Sequence, residues 1–251
     1  MALIMNGFIN YIDYLFMEEK KKMKAALLAM VATLLPLGAM AQDRVEASVG
    51  ADLVSGYVWR GQDLGNVSIQ PGLSVGYKGW SLAVWGSVGI DKEDTKELDL
   101  TLGYSTGGFS LSVTDYWFNT GPSYFRYGAG HTAHVFEAQV GYDFGPVAVN
   151  WYTNFAGADG VNEDGDRAYS SYLNVSAPFR LGGLDWTAEV GATPWATSFY
   201  NGGASGFEVT DVAIGVSKEL PITSRFSLPV FAKGVWNPAT GGAYFVFGVS
   251  L

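Results

Sequence analysis

From about Arg44 to Leu251 the chain alternates apolar residues with small or polar ones, in segments parted by turns and polar loops. Val45, Ala47, Val49, Ala51 and Leu53 take one face of the first segment, and Glu46, Ser48, Gly50 and Asp52 take the other. The second repeats the pattern, with Ile69, Pro71, Leu73, Val75 and Tyr77 against Ser68, Gln70, Gly72, Ser74 and Lys78. Successive side chains of a strand point to opposite faces, so each segment reads as a strand with one apolar and one polar face. Alternation alone serves a soluble sandwich as well as a barrel.

The N-terminal residues narrow the choice. Lys20, Lys21, Lys22 and Lys24 precede an apolar run from Ala25 to Leu37, and Ala39-Met40-Ala41 supplies a small-x-small pattern. This is the form of a secretory signal peptide with cleavage expected after Ala41. The run is shorter than the roughly 20 residues of a membrane-spanning helix. Residues 1–41 therefore read as an extension plus signal peptide, with the start of translation at Met1, Met17 or Met23, and residues 42–251 as one domain. The chain has no cysteine, which rules out disulfides and a lipid anchor on cysteine.

Removing the first 41 residues leaves 11 basic against 21 acidic residues, a balance that argues against nucleic acid as a partner. The chain has only 16% charged residues and a mean hydropathy of +0.13, yet no segment after Ala41 is long and apolar enough for a membrane helix. A secreted chain of this kind fits a transmembrane β-barrel, the other structure that satisfies its backbone within a bilayer.

The connections alternate in length. Lys78 to Trp80, Thr106 to Gly108, Gly145-Pro146, Arg180 to Gly183 and Lys218 to Arg225 are short. Gly61 to Val67, Asp91 to Lys96, Asn119 to Ala133, Gly157 to Arg167 and Ala196 to Gly206 are longer, and Pro238 to Gly242 is brief. Counting segments predicts an all-β, antiparallel up-and-down barrel of about twelve strands. Bacterial outer-membrane barrels have short periplasmic turns and longer extracellular loops, which predicts an outer-membrane location with both termini in the periplasm. The partners expected for such a barrel are the lipid bilayer with its lipopolysaccharide and the outer-membrane assembly machinery.

The apolar face carries aromatic residues at both ends. Tyr77, Trp80, Tyr104, Phe109, Tyr142, Phe144, Phe179, Trp186 and Phe226 lie near short turns, and Tyr57, Trp59, Trp117, Phe136, Phe155, Tyr169, Trp236 and Phe245 near long loops. Two aromatic girdles flanking an aliphatic band mark a lipid-facing wall. The parity breaks near Thr210 and Asp211, which predicts a bulge. Asp115 has outward parity and is placed at the rim, where a carboxylate is tolerated.

Ser55-Gly56-Tyr57-Val58-Trp59-Arg60-Gly61, followed by Gln70-Pro71-Gly72 and Glu97-Leu98-Asp99-Leu100, resembles the TorF-type outer-membrane porin family. The likeness covers about the first third of the residues after Ala41. It implies a barrel and suggests transport without naming a solute. Phe245, Phe247, Val249 and Leu251 also resemble the terminal assembly signal of outer-membrane barrels, with Leu in place of the usual final Phe.

Opposite parity defines the lumen. It places Asp52, Glu97, Asp99, Glu137, Glu189 and Asp211 inside, together with Glu46, Asp143 and Asp185, against the bases Arg60, Lys78 and Lys233. Unmatched carboxylates need water, a cation or a proton, so a wet lumen that attracts cations is expected. Arg60, among acids, is expected as a salt-bridge hub. Trp85, Tyr116, Tyr152 and Tyr172 are expected to line the pore, either stacking on flat solutes or filling space.

In the loop from Asn119 to Ala133, Tyr124, Arg126 and His131 could constrict the lumen or grip a ligand, or pack on their neighbours. Asp159, Asn162, Asp164 and Asp166 have oxygens at alternating spacing that suit calcium, without the EF-hand pattern; a solvated acidic loop is the favoured reading, and no metal or cofactor is expected. The sequence thus predicts a porin-like channel for passive diffusion of small solutes, preferring cations. The alternatives are an outer-membrane lipid hydrolase or deacylase using outward-facing His134 at the rim with Asp115, and a structural or adhesive barrel without transport.

Overall fold

Two-residue turns set the hand and pairing of the strands. Lys78-Gly79, Gly107-Gly108 and Gly182-Gly183 all have positive φ at both positions. That is the type I′ geometry, whose twist matches the right-handed twist of the strands it joins. The computed structural model describes residues 45–128, 130–200 and 206–251, so the expected signal peptide lies outside the described residues.

The strands are β1 (Glu46–Val54), β2 (Tyr57–Trp59), β3 (Gln62–Gly65), β4 (Ser68–Tyr77), β5 (Trp80–Gly89), β6 (Lys96–Thr106) and β7 (Phe109–Phe118). They continue with β8 (His134–Asp143), β9 (Ala148–Gly157), β10 (Ser171–Leu181), β11 (Leu184–Thr193), β12 (Glu208–Thr223), β13 (Phe226–Asn237) and β14 (Gly242–Ser250). Twelve of them form one closed antiparallel barrel, and β2 and β3 form a separate hairpin. The barrel closes where β1 meets β14, with Asp52, Leu53 and Val54 opposite Ser250, Val249 and Gly248. Ala51 and Leu251 exchange both backbone hydrogen bonds, at 3.1 and 2.9 Å, so the last residue completes the seam.

The alternating faces fall as parity predicts. Val49, Ile69, Leu82, Leu100, Leu102, Leu111, Val113, Val140, Val190 and Ile214 are exposed on the outer wall, the reverse of a water-soluble fold. Tyr77, Trp80, Phe109, Tyr142, Phe144, Phe179 and Phe226 ring this wall near the short turns. The register shifts where Gly191 faces Asp211 but Ala192 faces Val209, which is the bulge expected at Thr210. A second shift leaves Phe155 as an extra residue, since Phe136 faces Ala156 and Glu137 faces Asn154; the sequence reading did not find it.

Three expectations need correction. The first barrel strand ends at Val54, and the residues after it do not continue along the outer wall. Tyr57 and Trp59 therefore leave the outer girdle, and Gly61 to Val67 is not an outward loop but part of the β2–β3 hairpin. The connection placed at Lys218 to Arg225 shrinks to a tight turn, because β12 pairs with β13 as far as Thr223 opposite Phe226.

Candidate functional site: a hairpin seated in the lumen

The β2–β3 hairpin turns inward. Its tip, Arg60-Gly61, has φ of 51° and 79°, the same turn class as the short connections of the barrel. Gly61 suits that conformation and also a close approach, since a Cβ there would come within 1.8 Å of the Thr210 carbonyl oxygen. Asn237, on β13, donates Nδ2 to the Gly61 carbonyl at 3.0 Å. The hairpin base is braced by the loop between β5 and β6. Asp94 accepts hydrogen bonds from the Asn66 amide and side chain, both at 3.1 Å, and the Thr95 amide donates to Leu64 at 3.1 Å.

At the tip Arg60 donates through Nη1 and Nη2 to both oxygens of Glu137, at 2.5 and 2.8 Å. Tyr116 donates to the same carboxylate at 2.9 Å and Tyr200 at 3.2 Å. Arg60 also donates to the Tyr200 hydroxyl. Burial pushes the Tyr200 hydroxyl above its ordinary range, so it stays a neutral donor. The guanidinium carbon lies 4.3 Å from the Trp59 ring, 4.1 Å from Tyr152, 4.8 Å from Tyr172 and 5.5 Å from Tyr200, all within cation–π range. Glu137 and Tyr200 are each 2% exposed. A fork-shaped cation is thus held by a carboxylate along its edge and by rings around it.

The rest of the hairpin packs against the wall on either side. Tyr57 donates to Glu97 at 2.9 Å and lies against Trp85, while Trp59 meets Tyr116, Phe199 and Tyr200. Phe199 and Tyr200 belong to the connection after β11, whose described part turns inward instead of outward. Tyr172 donates to Asp211 at 3.2 Å across Gly191, where a Cβ would meet the Tyr172 hydroxyl at 1.7 Å. Contacts of the hairpin therefore run from β5 round to β13.

The predicted lumen residues divide by depth. Trp85, Glu97, Asp99, Tyr116, Glu137, Tyr152 and Asp211 gather on the wall around the hairpin, with Arg60 inserted among them. Asp99 and Asp211 each bury one carboxylate oxygen that has no hydrogen-bond partner among the described residues. Glu189 and Lys233 pair at 2.7 Å on the facing wall, and Asp52 stands half-buried beside the seam. At the β6–β7 turn a pocket of about 470 Å³ spans the rim, lined by the inward Ser105, Ser110, Asp143 and Asn150 and by the outward Phe109 and Tyr142. What sequence reasoning missed was the β2–β3 hairpin itself, along with Trp59, Phe199 and Tyr200. The available signal was Arg60-Gly61 between two short alternating runs, the same residue-plus-glycine form as Lys78-Gly79.

The described residues of the loop from Asn119 to Ala133 do not enter the lumen. They fold over the outer wall, where Tyr127 stacks on His134 at 4.0 Å, Tyr124 meets Trp117 at 5.7 Å, and Trp117 donates to the Pro122 carbonyl. His134 is 0% exposed beneath them. Its Nδ1 meets Asp115 at 2.7 Å and its Nε2 meets the Tyr124 carbonyl at 2.5 Å. Both ring nitrogens thus face oxygens, and neither faces a serine hydroxyl among the described residues. Arg126 and His131 point to solvent. In the β9–β10 connection Asp159 accepts hydrogen bonds from Asn154, Gly160 and Ser170, and Asn162 Oδ1 accepts the Asp164 and Asp166 amides. Those oxygens serve the chain itself, and no three acidic or histidine side chains among the described residues converge on a metal position.

No curated protein matches the chain. Among solved structures it is similar to the NanC porin, with 8% sequence identity over 82% of this chain and 98% of that one, at a TM-score of 0.41. Over residues 38–230 it matches the model of a family described as bacterial proteins of unknown function, and the chain belongs to that family, Gcw_chp.

Proposed function

We propose that the protein is an outer-membrane channel through which small solutes diffuse passively, with a preference for cations, and that the inward hairpin sets its conducting state. The observation that carries this reading is the polarity of the lumen inside a wall whose outer face is apolar. Carboxylates outnumber bases there, and those of Glu46 and Asp143 stand exposed near the short turns. A low-dielectric wall lined by one sign of charge concentrates counter-ions at its mouth. The signal peptide, the short-turn end in the periplasm and the TorF-type resemblance of Ser55 to Gly61 belong to the same reading. Assembly into a lipopolysaccharide-containing membrane by the outer-membrane assembly machinery follows from it.

The test is ion selectivity in a planar bilayer. In a salt gradient the reversal potential should report cation preference that weakens as ionic strength rises, because screening acts beyond about 10 Å at 0.1 M salt. Asp52→Asn with Asp143→Asn should reduce the preference while the barrel still folds. Anion preference in the parent protein, or unchanged selectivity in the double variant, would defeat the proposal.

A further inference from the structure

The partner of Arg60 is a site of its own. Glu137 on β8, Tyr116 on β7, Tyr152 on β9 and Tyr172 on β10 come from four neighbouring wall strands. They belong to the barrel whether or not the hairpin is in place. Together they offer two parallel acceptor oxygens and two ring faces at the spacing of one planar cation. We infer that this wall cluster is a binding site for the guanidinium or amidinium head of a small solute, and that Arg60 occupies it as a built-in stand-in.

Three features support it. The pairing is bidentate, at 2.5 and 2.8 Å, and that geometry selects a planar fork over a point charge. The occupant is carried on a turn tip, and the side chain reaches the cage from a backbone φ of 51°, a region that residues other than glycine rarely adopt. A strained, tethered occupant is easier to displace than one built into the wall. Finally, the hairpin is covalently attached only at its base, so that Arg60 can leave while β1 and β4 stay paired along their full register.

As a solute class this rests on the channel reading above, but the binding measurement does not need conduction. Arg60→Gly keeps the turn, since glycine suits its φ, and empties the cage. The barrel in detergent micelles should then show a thermal midpoint that climbs with millimolar methylguanidinium, climbs less with methylammonium, and does not move with sodium. The parent protein, with its cage filled, should not respond, and Arg60→Gly with Glu137→Gln should lose the response. If Arg60→Gly refolds poorly, methylguanidinium should restore the yield, and an equally poor yield with and without it counts against the site. A flat midpoint in a folded Arg60→Gly barrel, or the same climb in parent and double variant, overturns the inference. In a bilayer, methylguanidinium should block the Arg60→Gly channel. Binding without any conductance would sink the channel reading and keep the site; conductance without binding would do the reverse.

Discussion

The two halves of the lumen are made by the same strands with the same alternation, and they have opposite characters. Near the long loops the inward side chains of Glu97, Asp99, Glu137, Tyr172 and Asp211 are buried against the hairpin and one another. Near the short turns Glu46, Ser48, Ser105 and Asp143, of the same parity, stand open. Inward parity therefore says which face a residue joins and not what it meets there. What it meets depends on connections that fold back, and only the long-loop end has chain to spare. A carboxylate in the open half is hydrated at no cost, whereas one in the packed half needs a donor or a cation.

The sharpest way to break this contrast is to remove one carboxylate from each half. Glu137→Ala leaves the Arg60 guanidinium buried without its partner and should destabilise the barrel by about 3–5 kcal/mol in denaturant titration. Asp143→Ala should change stability by less than about 0.5 kcal/mol. Similar losses at both positions would mean that the halves do not differ.

A smaller effect bounds the packed region from below. Leu100→Arg and Val140→Arg on the lipid face should each cost about 2–4 kcal/mol if they lie near the bilayer midplane. Thr101→Arg and Gln139→Arg face inward just beyond the packed cluster, and should be tolerated far better if the lumen is open at their depth. Damage from Thr101→Arg as large as from Leu100→Arg would extend the packed half towards the short turns. The smallest effect lies at the open end, where Arg180 and Asp185 pair at 2.6 Å with both side chains exposed. Arg180→Ala should leave the unfolding midpoint where it is; a clear drop would show that this end is less solvated than its exposure indicates.

The barrel was legible because lipid and lumen impose opposite chemistry on successive residues. Leu100 and Thr101, or Val140 and Gln139, can be sorted by parity alone. The break at Thr210 was legible for the same reason, as Val209 and Val212 cannot both face outward without an extra residue between them. Tyr57 and Trp59 were misplaced because the hairpin alternates too, and a Tyr or Trp suits a membrane interface as well as a packed lumen. His134 posed the related problem on the outer face: its parity was plain, but its covering by Tyr124 and Tyr127 depends on a loop whose path no periodicity encodes. Arg60 was expected among carboxylates, whereas its choice of Glu137, 77 residues away, is set by how the hairpin turns and not by sequence spacing.

The contact between the Gly61 carbonyl and Asn237 joins residues 176 positions apart. Gly61 follows the first barrel strand, and Asn237 precedes the last. That hydrogen bond can form only after nearly the whole chain has been laid down, at about the stage when β14 reaches back to β1. Contacts of such sequence separation form late and slowly. The hairpin can be docked at its base by Asp94 early in assembly, but its tip has no far wall to rest on until the sheet has curled round. A half-built sheet would therefore hold a hairpin whose tip has not met Asn237, and the arrival of the Gly61 carbonyl at that amide marks the stage at which an open sheet becomes a ring.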